Sequence, residues 1–309
     1  MIALVIGGTG FIGSHLLDQL VAEGDLVRVL APDPERFRAP KENIDYRAGT
    51  LMDAAALRSA LEGVDVVYHL ANSKVPSTSN QDPIADIQEN LMATVDLLES
   101  MRQAGVGRIV FLSSGGTVYG ECGSESVPED HVLQPSSSYG IVKVAIENYL
   151  CMFKRLYGLS YCALRASNPY GPRQGAIGVQ GVIATMLYRT FRNEAISIWG
   201  DGGVVRDYLY IDDLAKGIST AGRAGLEGTF NIGSGEGHSL VELLDVIREV
   251  TGTEPGVEFQ PSRKVDIQRI VLDISRIRMQ LGWEPKVSLA RGVELHWLWM
   301  QSAIKGGML

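Results

Sequence analysis

Short runs dominated by apolar, strand-favouring residues recur along the chain: IALVI (2–6), LVRVL (26–30), VDVVYHL (64–70), RIVFLSS (108–114), YCALR (161–165) and TFNIG (229–233). Strands buried on both faces read this way, because neither side of the pleat meets water. Between them, apolar positions return at helical spacing over 12–23, 53–62, 84–104, 139–157, 181–192, 212–224, 239–251 and 289–304. Strand alternating with helix predicts a parallel sheet, since parallel neighbours need a crossover, and right-handed crossovers in both directions cover both faces. The expected fold class is α/β, a doubly wound and mostly parallel sheet with a smaller C-terminal α/β portion. That portion announces itself from about residue 168, where glycine, proline and arginine collect in loops such as NPYGPRQGAIGVQG and WGDGGVVRD. No internal repeat or low-complexity tract interrupts the pattern.

The 309 residues are 45% hydrophobic, enough for a sizeable core, and carry a formal net charge of -8. With no basic run of five or more, nucleic acid and anionic membranes are not expected partners, although a few arginines could still converge on a small anion. No apolar stretch approaches the roughly 20 residues of a membrane span. The chain opens directly on a strand, without the charged n-region of a secretion signal, so a cytoplasmic location is expected. The three cysteines, Cys122, Cys151 and Cys162, have no metal-type spacing and read as reduced thiols; no metal site is expected.

The first loop carries chemistry. GGTGFIG (7–13) follows the first strand and opens the first helix. Gly7, Gly10 and Gly13 at that place permit a tight turn and let the backbone approach a pyrophosphate, whose charge meets the helix N-terminus. A dinucleotide-binding domain is thus expected over 1–167 and a mainly substrate-binding domain over 168–309, with segments around 207–235 returning to the first. Beyond the second strand lies VLAPDPERFR, where Asp33 could hold the 2′-hydroxyl of NAD, or Arg36 and Arg38 the 2′-phosphate of NADP. NAD is the favoured reading.

The second chemical signal is YGIVK (139–143), which puts Tyr139 and Lys143 on one face of a predicted helix. A free phenol, with a pKa near ~10, is a poor base at neutral pH. A neighbouring ammonium and a positive nicotinamide would favour phenolate, and ~3 units of lowering correspond to about 4 kcal/mol. Tyr139 would then take an alcohol proton as hydride leaves the same carbon, with Lys143 as its partner.

In this order, GGTGFIGSHL, HLAN (69–72), SSGGTVYG (113–120), YGIVK, LRASNPYGPRQ (164–174), GDGGVVRDYLYIDDLA (200–215) and FNIGSGE (230–236) resemble the extended short-chain dehydrogenase/reductase family. The likeness is to its NAD-dependent nucleotide-sugar epimerases of the UDP-glucose 4-epimerase type, and it spans nearly the whole chain. It implies Tyr139 as catalytic base, Lys143 as its partner, and Gly7, Gly10, Phe11, Ile12 and Gly13 at the pyrophosphate. It also implies Leu51, Leu70, Ala71, Lys74 and Asn90 around the cofactor, and Asn168, Arg206, Arg263 and Asp266 around a nucleotide-diphosphate sugar. Arg206 could instead be a solvated surface charge, and Arg165 more readily so. Through the same likeness Ile270 falls near a position where some epimerases carry a tyrosine that limits N-acetyl sugars.

Two positions depart from the family. Gly115 stands where epimerases usually carry a catalytic serine or threonine, leaving Ser114 and Thr117 as candidates, with Thr117 preferred. Thr50 replaces a frequent aspartate near adenine. The loop also selects among reactions: related 4,6-dehydratases carry an Asp-Glu pair where this chain has Gly116 and Thr117. C4 inversion of a UDP-hexose, UDP-N-acetylhexosamine or UDP-uronate is therefore expected. A 4-reductase, a 4,6-dehydratase and a non-catalytic NAD(P)-binding regulator are the alternatives. Apolar stripes through Leu91, Val95 and Leu98, and through Ile146, Tyr149 and Phe153, predict a homodimer joined by a four-helix bundle.

Overall fold

The computed structural model describes residues 1–123, 126–175, 181–262 and 267–309. The first part contains β1 (Ile2–Ile6), β2 (Leu26–Ala31), β3 (Ile44–Ala48), β4 (Val66–His69), β5 (Arg108–Ser114) and β6 (Ser160–Ala166). Its helices are α1 (Phe11–Ala22), α2 (Ala54–Leu61), α3 (Pro76–Ser79), α4 (Pro83–Asp86), α5 (Ala93–Ala104) and α6 (Ser138–Tyr157). The remainder has β7 (Asn168–Tyr170), α7 (Val182–Arg192), β8 (Ile196–Trp199), β9 (Val205–Tyr210), α8 (Ile211–Arg223), β10 (Gly228–Ile232) and β11 (Gly237–Ser239). After these come α9 (Leu240–Thr251), β12 (Val257–Gln260), β13 (Arg269–Ile270), α10 (Ser275–Leu281) and α11 (Leu289–Lys305).

Seven strands form one parallel sheet in the order β10-β6-β5-β4-β1-β2-β3. The expected doubly wound α/β fold is what the chain adopts. Its strand order reverses between β1 and β4, and the crevice beyond their C-terminal ends is where such sheets take ligands. One core layer sets Leu16, Leu17 and Leu20 of α1 with Ile211, Leu214 and Ile218 of α8 against one face; the other sets α2, α5 and α6 against the opposite face. The last part builds a second sheet, β11-β9-β13, with β7 also paired to β9, and a two-stranded sheet of β8 with β12. β10 crosses back to pair with β6.

Two elements differ from the sequence pattern. β3 is an edge strand whose residues are mostly exposed or half-buried, so it lacks the apolar run that marks its neighbours. The helix expected over 84–104 runs without a break but changes type: Ile87–Met92 is π-helical between α4 and α5. Such bulges displace side chains from ordinary helical spacing and gather at functional sites.

Candidate active site

The loop after β1 is a backbone cradle. Gly7 has φ +83°, and a β-carbon there would come within 2.9 Å of the Ala71 backbone, so the loops after β1 and β4 touch at the switch point. At Gly13 a β-carbon would lie 2.2 Å from the Gly7 carbonyl oxygen, a collision with fixed backbone. Around Gly10 only that carbonyl comes within 4 Å, leaving open space at the helix N-terminus. Phe11, Ile12 and Gly13 form the first turn of α1, where backbone N–H groups have no acceptor within the helix. The cradle therefore fits a pyrophosphate.

Around it stand the other expected cofactor residues. Leu70 and Ala71 continue β4, with the Leu70 N–H bonded to Ile6 at 3.0 Å, and buried Leu51 sits just before α2. Lys74 lies 3.7 Å from Glu89. Asn90, on the π-helical turn, accepts from the Ser73 N–H at 3.0 Å and donates to the Ser73 hydroxyl at 2.9 Å, fixing the loop after β4. Asp33 is exposed and paired with Arg36 at 2.7 Å, while Arg38 is bound to Asp18 and Glu35. With both arginines engaged by carboxylates, this corner is a poor receptor for an added 2′-phosphate.

The catalytic corner lies at the start of α6, where Ser137 caps the helix through the Gly140 N–H. Lys143 is 3% exposed and its Nζ donates to the Leu112 carbonyl at 2.9 Å. The same ammonium lies 5.4 Å from the centre of the Tyr139 ring and 4.6 Å from that of Phe111. Burial pushes the Tyr139 phenol up to about 12, against the hydrogen bond from Ser114 that pulls it down. Burial likewise holds Lys143 down to about 8, opposed by the charges of Glu147 and Asp86. In the chain without a bound cofactor ring, desolvation is thus the largest influence on the phenol and favours its protonated form.

Ser114 is the hydroxyl that pulls the Tyr139 phenol down, while among the described residues the hydroxyl of the preferred Thr117 is buried with no hydrogen-bond partner. A β-carbon at Gly115 would sit 2.5 Å from Leu272 Cδ1 and 3.1 Å from the Arg165 carbonyl, so a side chain there requires buried Leu272 to move. Arg165 is no surface charge: it is 5% exposed and paired with Glu147 at 2.7 Å. Of the two apolar stripes, Leu98, Ile146 and Phe153 are buried in the chain's own core, whereas Leu91 and Val95 are half-buried and Tyr149 is exposed.

Facing this corner is the arm built by β7 and β9. A β-carbon at Gly116 would lie 3.9 Å from Asn168 Oδ1, so the loop after β5 abuts the arm. Asn168 donates to the Asp207 carbonyl at 3.0 Å, and Arg206 donates to the carbonyl of Val205 at 2.9 Å. Asp207, 1% exposed, accepts from the N–H groups of Ser234 and Gly235 at 2.7 and 3.2 Å and organises the loop after β10. Beyond the arm a cavity of about 650 Å³ is lined by Trp199, Asp201, Val204, Phe259, Gln260 and Gln268. Arg263 and Asp266 lie outside the described residues. Asp207, Trp199, Leu272 and Asp86 carry no spacing signal that would single them out in the sequence.

The model of the NAD dependent epimerase/dehydratase family matches residues 3–233. The chain belongs to that family. Among its relatives, the UDP-glucose 4-epimerase of Mycolicibacterium smegmatis is 38% identical over 302 residues, covering 95% of this chain and 96% of that protein. The UDP-glucose 4-epimerase of Thermotoga maritima, solved with UDP-glucose, superposes with a TM-score of 0.92 at 36% identity, covering 98% of this chain and all of that one. The UDP-glucose 4-epimerase of Thermus thermophilus, solved with NAD, gives the same TM-score, identity and coverage. For this member of the epimerase/dehydratase family the cofactor is NAD, and the cradle at Gly7–Gly13 fits it. Among the described residues no helix is long and apolar enough to cross a membrane, and no cluster of three or more His, Cys, Asp or Glu could hold a metal ion.

Proposed function

We propose that the chain inverts C4 of a nucleotide-diphosphate sugar, with UDP-hexoses, UDP-N-acetylhexosamines and UDP-uronates the favoured substrates. The observation that carries this reading is one phenol, one hydroxyl and one ammonium at a single corner, beside a loop without a carboxylate: residues 113–120 read SSGGTVYG. Eliminating water would need a further acid and base in that loop. Inversion needs only a group that takes a proton and later returns it.

In this reading Ser114 bridges the C4 hydroxyl and the Tyr139 phenol, and Tyr139 removes the proton. NAD, when bound, supplies the hydride acceptor and donor and a positive ring whose charge favours the phenolate. Lys143 adds the second positive charge and keeps the phenol in place. The 4-keto sugar turns about its diphosphate, held by Asn168, Arg206 and Arg263 while Asp266 reaches the nucleoside ribose, and presents its other face. The ring of Trp199 and the amides of Gln260 and Gln268 suit the nucleotide base in the neighbouring cavity. Ile270, 2% exposed and opposite Arg206 on the paired strand, is aliphatic where a tyrosine would narrow the sugar pocket.

The test is direct: pure protein, without added cofactor, is incubated with UDP-glucose, UDP-galactose, their N-acetyl forms and UDP-glucuronate, and products are read by NMR. Inversion of at least one is expected. Absence of inversion, with a reduced product appearing only on addition of NADPH, would assign the chain to the reductases instead.

The reading extends to a homodimer through the outer faces of α4 to α6. Ile84 is 65% exposed, Met92 55%, Ile141 56% and Leu156 63%, a run of apolar side chains on adjacent helices that a second copy would cover. Sedimentation velocity is expected to give the mass of two chains; a monomer at micromolar concentration would remove this part of the proposal.

A further inference from the structure

Asp86 is fully buried at the end of α4, immediately before the π-helical turn. Among the described residues no lysine, arginine or histidine lies within ion-pairing distance of it. A buried carboxylate without a partner cation is costly, and the cost is tolerated where strong donors surround it. Here Asn90 Nδ2 donates to one oxygen at 2.8 Å and the Ser138 hydroxyl to the other at 2.7 Å. Ser138 is the first residue of α6 and the neighbour of Tyr139.

The surrounding bonds show what this grip accomplishes. The Ser138 N–H donates to Asn80 Oδ1 at 2.8 Å and the Tyr139 N–H to the Ser79 hydroxyl at 3.2 Å. Three donors of the first turn of α6 are therefore held by one segment, residues 79–86, and the carboxylate lies by the positive end of the helix. Asn90 links the same carboxylate to Ser73, so the loop after β4 and the start of the catalytic helix meet at one side chain.

We propose that Asp86 is a positioning residue of this active site: it grips the first turn of α6 through Ser138, grips the π-helical turn through Asn90, and sets its carboxylate beside the Tyr139–Lys143 pair. The inference rests on the proposed reading of Tyr139 as base. Asp86 disfavours the phenolate and favours the ammonium, raising both groups. The other groups around the pair are Glu147 on α6, which also raises Lys143, and His69 on β4, held neutral by burial and by Lys143. Glu147 is itself neutralised by Arg165. Among the described residues Asp86 is thus a carboxylate at this corner with no cation within ion-pairing distance, and it disfavours release of the phenol proton.

The experiment titrates the phenol itself, in protein carrying carbon-13 at tyrosine Cζ, with the Tyr139 signal assigned by its loss in Tyr139→Phe. Both NAD-free and NAD-loaded protein are measured. In Asp86→Asn, which keeps shape and removes charge, the Tyr139 transition is expected to fall by about half a unit to one unit. Ser138→Ala, which removes the hydroxyl grip and leaves the charge, is expected to show no fall. An unchanged transition in Asp86→Asn, or an equal fall in Ser138→Ala, would overturn the assignment. Since no sugar nucleotide enters this measurement, its outcome is independent of whether inversion is the reaction. Where inversion is assayed, both limbs of the pH profile of kcat/KM are expected to move to lower pH in Asp86→Asn, because both groups lose the raising charge; a purely structural role would lower kcat without moving either limb.

Discussion

Replacing Tyr139 with phenylalanine is expected to lower kcat for inversion by about 10²- to 10⁴-fold, the range that a positioned acid–base group supplies. The ring remains, so its packing against the Lys143 ammonium remains; only the phenol oxygen is lost. Affinity for the sugar nucleotide should stay within a few-fold, because Asn168 and Arg206, proposed to contact the diphosphate, lie across the cleft on β7 and β9. Calorimetric binding alongside the NMR assay separates the two quantities. Undiminished turnover in the variant would show that another group takes the proton. On the alkaline side the native enzyme should lose activity from about pH 8 upward, as Lys143 sheds the proton that burial already loosens.

Glu147→Gln is expected to destabilise the protein by about 3–5 kcal/mol, the usual consequence of leaving one member of a buried ion pair alone. Arg165 would keep its bonds to the Tyr119 hydroxyl and the Glu129 carbonyl, both at 2.9 Å, but no charge would answer its own. The damage would spread, since Tyr119 in turn donates to Asn231 on β10 at 2.6 Å, tying β6, β10, the loop after β5 and α6 together. Urea unfolding reads the loss, and the double variant Glu147→Leu with Arg165→Met should recover most of it. A loss under about 1 kcal/mol in the single variant would mean that the pair is already solvated. The charge of Glu147 also raises Lys143, so the alkaline limb should move to lower pH in the same variant.

What the sequence reveals here depends on the range of the interaction. The cradle at Gly7–Gly13 and the Tyr139–Lys143 pair are local: a strand, a turn and one helical repeat bring their residues together whatever lies elsewhere. The sheet is legible for the same reason, since its central strands advertise burial on both faces, whereas β3 at the edge does not. Features that depend on distant chain are hidden. That Leu272 fills the place where Gly115 would carry a side chain joins residues far apart in the chain. Arg165 looks like any arginine near a loop until Glu147, eighteen positions away and on another element, is seen beside it. The π-helical turn is hidden for a subtler reason: its apolar positions suit an ordinary helix, and it is the bonding of Asn90 to Ser73 and Asp86 that accompanies the departure.

The crossing of β10 back to β6 governs how the molecule comes into being. While the ribosome is still making the second sheet, β6 waits as an open edge with its row of N–H and C=O groups unanswered, for its neighbour begins only at Gly228. Contacts that span so much chain form slowly, and a nascent protein with an open edge is a target for other nascent chains. Release of a folded product therefore depends on how fast a five-residue strand, made long after the residues it protects, reaches its place.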